Sequence, residues 1–262
     1  MGYLIDRPWE FGSLLAIVLA LVLEIGRRSA VRFRIELVPQ RKEQMGTIRD
    51  GFFVLISLLL GFTLTLADSR FAERRSLLVE EAISIGTTYL RASVLPAETR
   101  DRSKHLLEEY VDSRLELSDA VVKLDAATSM LKRSKQLQEQ LWHEAAAVVQ
   151  VDRSALVAVY INSLNETIDL HDRRLAAFEN RIPYPIWLLI ILISLIAVFT
   201  RGTTVSSRFW LTLILVPITI AIVVALIADL DTPSRGLIRL DHRAMQRLKA
   251  DMIADRQFSL PK

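Results

Sequence analysis

The chain has no cysteine, which excludes disulfides, thiolate zinc sites, iron–sulfur clusters and thiol chemistry. It carries only 9 glycines and 8 prolines in 262 residues, about half the usual share. So few turn formers disfavour a β protein of many short strands and favour long helices. Its net charge of +3 is too small to mark a nucleic-acid binder. The four histidines (His105, His143, His171 and His242) stand at no metal-binding spacing, and His143-Glu144 is not followed by a second histidine. On charged helices such lone histidines are expected to be solvated. No G-x-S-x-G, P-loop or G-x-G-x-x-G run occurs. The reading is therefore a protein that is not an enzyme, with no catalytic residue, no metal site, no cofactor and no nucleic-acid partner.

What is present is segregated. Hydrophobic residues make up 51% and charged residues an ordinary 24%, yet the mean hydropathy is +0.30. Both hold only if apolar and charged residues occupy separate blocks. Four apolar blocks answer to this: Trp9 to Ile25, Gly51 to Ala67, Ile186 to Thr200 and Phe209 to Ala228. A membrane-crossing helix needs about 20 mostly apolar residues, about 17 at the short end. Trp9, Trp187 and Trp210 sit near block ends, where aromatics meet the membrane interface. Glu24 has Arg27 and Arg28 at i+3 and i+4 and reads as an interfacial ion pair.

Residues between the second and third blocks are rich in Leu, Ala, Glu, Arg and Lys, with helical periodicity. Helices are expected at 70–92, 97–117, 124–149 and 152–181, the first continuous with block two because no Gly or Pro separates Ala67 from Ile85. They suggest an antiparallel bundle. The expected fold is all-α: four transmembrane helices with a long extramembrane bundle between the second and third. The divisions are 1–68 (two spans and a basic loop), 69–182 (bundle), 183–231 (two spans) and 232–262 (C-terminal tail). Arg27, Arg28, Arg32, Arg34, Arg41, Lys42 and Arg49 in the first loop, with Arg201 and Arg208, place those loops in the cytoplasm by the positive-inside rule. That puts the bundle on the extracytoplasmic side of an inner membrane.

Residues 60–91 read LGFTLTLADSRFAERRSLLVEEAISIGTTYLR, and 228–239 read ADLDTPSRGLIR. Together they resemble the bacterial membrane family with a bestrophin-like domain, whose members share the order of two spans, helical insert, two spans and D-x-D-x-P-x-R-G tail. The resemblance spans most of the chain. It implies structural roles for Arg70, Phe71, Arg74, Arg75, Glu80, Glu81, Asp229, Asp231, Pro233, Arg235 and Gly236. True bestrophins are more distant; they are pentameric anion channels with a pore lined by the second span and the insert in the cytoplasm, opposite to the charge count. Their aromatic neck has only Phe52, Phe53 and Phe62 as counterparts here.

On a helix, Ser57, Gly61, Thr65, Asp68 and Arg75 fall near one face of block two. Such a stripe serves close helix packing, or it lines a pore in a ring of identical subunits. The pore candidates are Phe53, Ser57, Leu60, Gly61, Thr65 and Asp68. The leading expectation is a homo-oligomeric ion channel whose partners are the lipid bilayer, copies of itself and inorganic ions. The alternative is a membrane-anchored sensor, adaptor or scaffold without conductance.

Overall fold

The structure is a computed structural model that describes residues 6–33, 39–120, 124–204, 210–232 and 236–259. Eight helices are resolved among them: α1 (Pro8–Arg32), α2 (Pro39–Arg91), α3 (Ala97–Ala120), α4 (Leu124–Val151), α5 (Ala155–Glu179), α6 (Tyr184–Thr204), α7 (Trp210–Asp231) and α8 (Arg243–Ser259). There is no strand among the described residues. Two compact units emerge. The first comprises Met1–Phe71 and Arg181–Arg239, the second Ala72–Asn180 and Leu240–Lys262. Helix α2 is unbroken from Pro39 to Arg91 and contributes to both, and the absence of Gly and Pro between Ala67 and Ile85 predicts its continuity there.

The first unit holds four helices long and apolar enough to cross a membrane: α1, the first part of α2, α6 and α7. Its core is built from Leu15, Leu19 and Leu23 of α1, Ile56 and Leu60 of α2, Ile190 and Val198 of α6, and Val224 and Ile227 of α7. Helix α1 packs along both α6 and α7. Near its end, Gly26 meets Gly202 of α6. A Cβ on Gly26 would stand 2.3 Å from the Phe199 carbonyl oxygen, and one on Gly202 would stand 2.2 Å from that of Leu23. The two backbones touch directly, an approach only hydrogen side chains permit. Just beyond, Glu24 accepts from Arg27 at 2.7 and 2.8 Å and from Arg28 at 2.9 Å, the ion pair expected from the spacing. Trp187 departs from expectation. Its ring is buried at 1% exposure and meets Phe11 edge to face at a centroid distance of 6.1 Å. It is a core residue because α6 turns that face onto α1, whereas Trp9 is exposed; the side chain of Trp210 lies outside those described.

The second unit is a helical bundle around Ile85, Leu107, Tyr110, Leu137, Leu141, Tyr160 and Leu164. Pro96 separates α2 and its short 3₁₀ continuation, Ala92–Val94, from α3. Ser154 caps α5 by accepting from the Val157 amide. Helices α3 and α4 pair, and so do α4 and α5. The sequence reading assigned no element to the tail, yet α8 lies against α3 and buries Met245 and Met252 in the core. Lys104 of α3 pairs with Asp255 of α8 at 2.7 Å, and Asp112 pairs with Lys249 at 2.7 Å.

Candidate functional site

The apolar stretch of α2 has one packed face and one open face. Ile56, Leu60, Thr63 and Ala67 are buried at i, i+4, i+7 and i+11, one stripe of a helix. Ser57, Gly61, Thr65 and Asp68 are exposed, as are Val54, Leu58 and Phe62. Of the sequence candidates, Ser57, Gly61, Thr65 and Asp68 therefore share the open side. Phe53 is half-buried, and Leu60 packs into the core of the first unit. The hydroxyls are already spent as donors: Ser57 Oγ donates to the Phe53 carbonyl at 2.7 Å and Thr65 Oγ1 to that of Gly61 at 3.0 Å. They present oxygen lone pairs outward, and Asp68 adds a carboxylate at the end of the stripe.

Beyond Asp68 each residue of the sequence motif has a definite task. Phe71 packs on the core of the first unit, and Arg70 is half-buried. Within the second unit, Arg74 is fully buried and donates from Nε to the Ala177 carbonyl and from Nη2 to that of Asn180, both at 3.0 Å. It satisfies the open carbonyls where α5 ends. Arg75 is exposed, and so is Glu80, which accepts from Ser76 at 2.7 Å. Thr88 donates to the Ser84 carbonyl and shares Thr167 with Ser84, a hydroxyl seam joining α2 to α5. Tyr89 donates to Asp255 at 3.2 Å and thereby ties α2 to α8.

Glu81 organises the centre of the bundle. It is fully buried, and its carboxylate meets Arg114 of α3 at 3.0 Å and Arg174 of α5 in a short ion pair. Tyr110 donates to Glu81 at 3.3 Å, Gln138 of α4 donates to the Tyr110 oxygen at 3.1 Å, and His171 Nδ1 lies 3.0 Å from that oxygen. Four helices are thus joined through one carboxylate. Burial by itself would push Glu81 up, but the Arg114 and Arg174 guanidiniums outweigh it and hold the carboxyl below its usual range. His171 is pushed down to about 4, first by burial and then by the positive charge of Arg114.

The His171 position corrects the expectation that the lone histidines are solvated, since only 5% of it is exposed. It also gives a pH dependence. The folded chain keeps the ring neutral down to about 4, whereas the unfolded chain protonates it near 6.5. Acidification through that window therefore favours unfolding, by about 3 kcal/mol in all. The expected result is a melting temperature in detergent that falls between pH 6.5 and 4, with His171→Gln removing that part of the slope. Glu81 adds its own loss only below its unfolded value of 4.5.

The tail motif acts in the first unit. Asp229 is buried and accepts the amides of Leu237 at 2.9 Å and Ile238 at 2.8 Å. Asp231 accepts the Ile182 amide at 3.0 Å. Gly236 lies so close to this clamp that a Cβ would stand 2.3 Å from Asp229 Oδ1. Both carboxylates hold main-chain amides. Pro233 and Arg235 lie outside the described residues.

Sequence reasoning singled out Glu81 but missed Tyr110, Arg114, Gln138, His171 and Arg174. A signal was available. Leu107, Tyr110, Val111 and Arg114 fall on one helical stripe, as do Thr167, Leu170, His171 and Arg174. A charge on an otherwise apolar stripe marks a buried ion pair.

A family model described as bestrophin-like domain matches residues 11–245. Among solved structures, a bacterial bestrophin homologue from Klebsiella pneumoniae is similar at a TM-score of 0.68 and 16% identity, covering 95% of this chain and 99% of that one. A point variant of that homologue gives a TM-score of 0.64 at 17% identity, with 93% and 97% covered. Identities this low speak to the fold alone. No curated protein matches the chain. A match over residues 11–245, together with four membrane-length helices and the helical insert that follows the second, means that this chain belongs to the bestrophin-like domain family.

Proposed function

We propose that the chain assembles with copies of itself in the bacterial inner membrane into an ion channel, with α2 lining the pore. The observation that carries this reading is the open face of α2. Only 22% of its apolar window is buried, and the uncovered side holds Ser57, Gly61, Thr65 and Asp68. A carboxylate is costly against lipid tails and suits a wet axis between subunits, and the hydroxyl oxygens offer that axis acceptors. Family membership supports the same reading, as does the Klebsiella homologue, which is described as a bestrophin. Exposed side chains of Val54, Leu58 and Phe62 remain for lipid and for neighbouring subunits.

The hydroxyl oxygens of the open face accept rather than donate, and Asp68 adds carboxylate oxygens, so this face suits a cation better than an anion. Purified protein in planar bilayers is expected to pass sodium more readily than chloride. Asp68→Asn is expected to lower that preference severalfold. Images of the detergent-solubilised particle are expected to show a ring of identical subunits. A monomer that passes no current would contradict the channel and favour a membrane-anchored sensor or adaptor. Sidedness follows from a C-terminal fusion: phosphatase activity bears out the arginine count, and fluorescence from a cytoplasmic reporter bears out the bestrophin arrangement.

A further inference from the structure

The centre of the bundle holds more positive than negative charge. Two buried guanidiniums, Arg114 and Arg174, share one carboxylate, Glu81. Each arginine is only 4% exposed. The other groups of the centre, Tyr110, Gln138 and His171, carry no charge near neutral pH. Arg114 Nη1 and Arg174 Nε are buried and have no hydrogen-bond partner among the described residues. Burying a guanidinium without a counter-charge costs several kcal/mol, so natural cores pair such groups. Water could accept from the two free donors but would leave the charge in place. A small anion does both.

A cavity lies beside the centre, and neither arginine is in its lining. A cavity of about 750 Å³ opens between α4 and α5, and His171 and Gln138 form part of its wall. Both bond Tyr110, which touches Glu81, so the cavity wall and the charge centre belong to one hydrogen-bonded set. Lys132 and Lys135 stand at the mouth, neither paired with a carboxylate among the described residues. Glu139 and Asp172 reach the same mouth, so the rim is mixed in charge and selectivity must come from the arginines within.

We propose that the bundle binds one small monovalent anion, a halide or a short carboxylate, between Arg114 and Arg174. The site is distinct from any pore along α2 and does not rest on the channel reading. Both ligand classes share one chemistry, a compact negative charge that accepts from guanidinium N–H groups.

The test is thermal unfolding of the full-length protein in detergent at constant ionic strength, with sodium gluconate replaced stepwise by sodium chloride or by sodium formate. The expected result is a saturable rise in melting temperature, about 5 °C at a hundredfold excess over Kd. A rise with chloride identifies a halide site, and a rise with formate alone identifies a carboxylate site. Arg174→Met removes the excess charge and is expected to abolish the rise. Glu81→Gln increases the excess and is expected to enlarge it. Because either variant could fail to fold, chloride-35 line broadening on the wild-type protein, displaced by bromide, supplies an independent reading. Equal melting in all three salts with no displaceable broadening would overturn the proposal. So would a rise that persists undiminished in a folded Arg174→Met protein, since the anion would then sit elsewhere.

Discussion

Replacing Glu81 with glutamine is expected to lower the melting temperature of the bundle by about 10 °C. The carboxylate is the sole negative charge facing Arg114 and Arg174 among the described residues, and its removal leaves two buried guanidiniums uncompensated. Breaking a buried ion pair from one side costs about 3–5 kcal/mol, and about 2–4 °C accompanies each kcal/mol in a protein of this size. Pairing Glu81→Gln with Arg174→Met removes one orphaned charge and is expected to recover part of the loss. Circular dichroism of the purified protein measures both. A Glu81→Gln protein that melts with the wild type would mean that the centre contributes no stability. A double variant no better than the single would mean that charge imbalance is not the cause.

The second large effect is expected at Gly202. Valine there would drive its side chain into the Leu23 carbonyl, where even a Cβ has only 2.2 Å. The obstruction is backbone, so no side chain can rotate away, and α1 and α6 must separate along the seam that also contains Gly26. Overpacking costs about 1–3 kcal/mol where side chains can yield, and more is expected here. The result would be aggregated or poorly inserted protein on size-exclusion chromatography. Gly51→Val is the control, because nothing among the described residues lies within 4 Å of a Cβ at that position. Monodisperse Gly202→Val protein of wild-type stability would contradict the packing described for α1 and α6.

Much of the architecture was legible in the sequence because its cause is local. Runs such as Gly51 to Ala67 are apolar wherever they go, and length alone fits them to a bilayer. The continuity of α2 was legible for a similar reason, since no Gly or Pro stands between Ala67 and Ile85. The ion pair of Glu24 with Arg27 and Arg28 needed only helical spacing. What escaped depends on the partner. Trp187 looks like an interface anchor by position, but α1 lies over it. His171 looks solvated beside Asp172, yet its ring turns inward to Tyr110. Helix α8 looks like a charged tail because few of its apolar residues face the core, chiefly Met245, Leu248 and Met252, which suffice once α3 offers a groove. The stripe of α2 was visible as a stripe, but the division between packed Leu60 and exposed Ser57 appears only when the neighbours are placed.

The same division frames the channel reading. Ser57, Gly61 and Thr65 lie on a face that the described residues leave exposed, and the sequence has no cysteine. Single cysteines at 57, 61 and 65 can therefore be placed without first removing others, and small charged thiol reagents can be applied while current is recorded in a bilayer. Each position is expected to be modified from the aqueous phase and each modification to change the current, whereas cysteine at the packed Ile56 does neither. Unmodified cysteines at all three positions in a conducting protein would contradict that expectation, because α2 would then turn that face to lipid or to another helix and the pore would lie elsewhere.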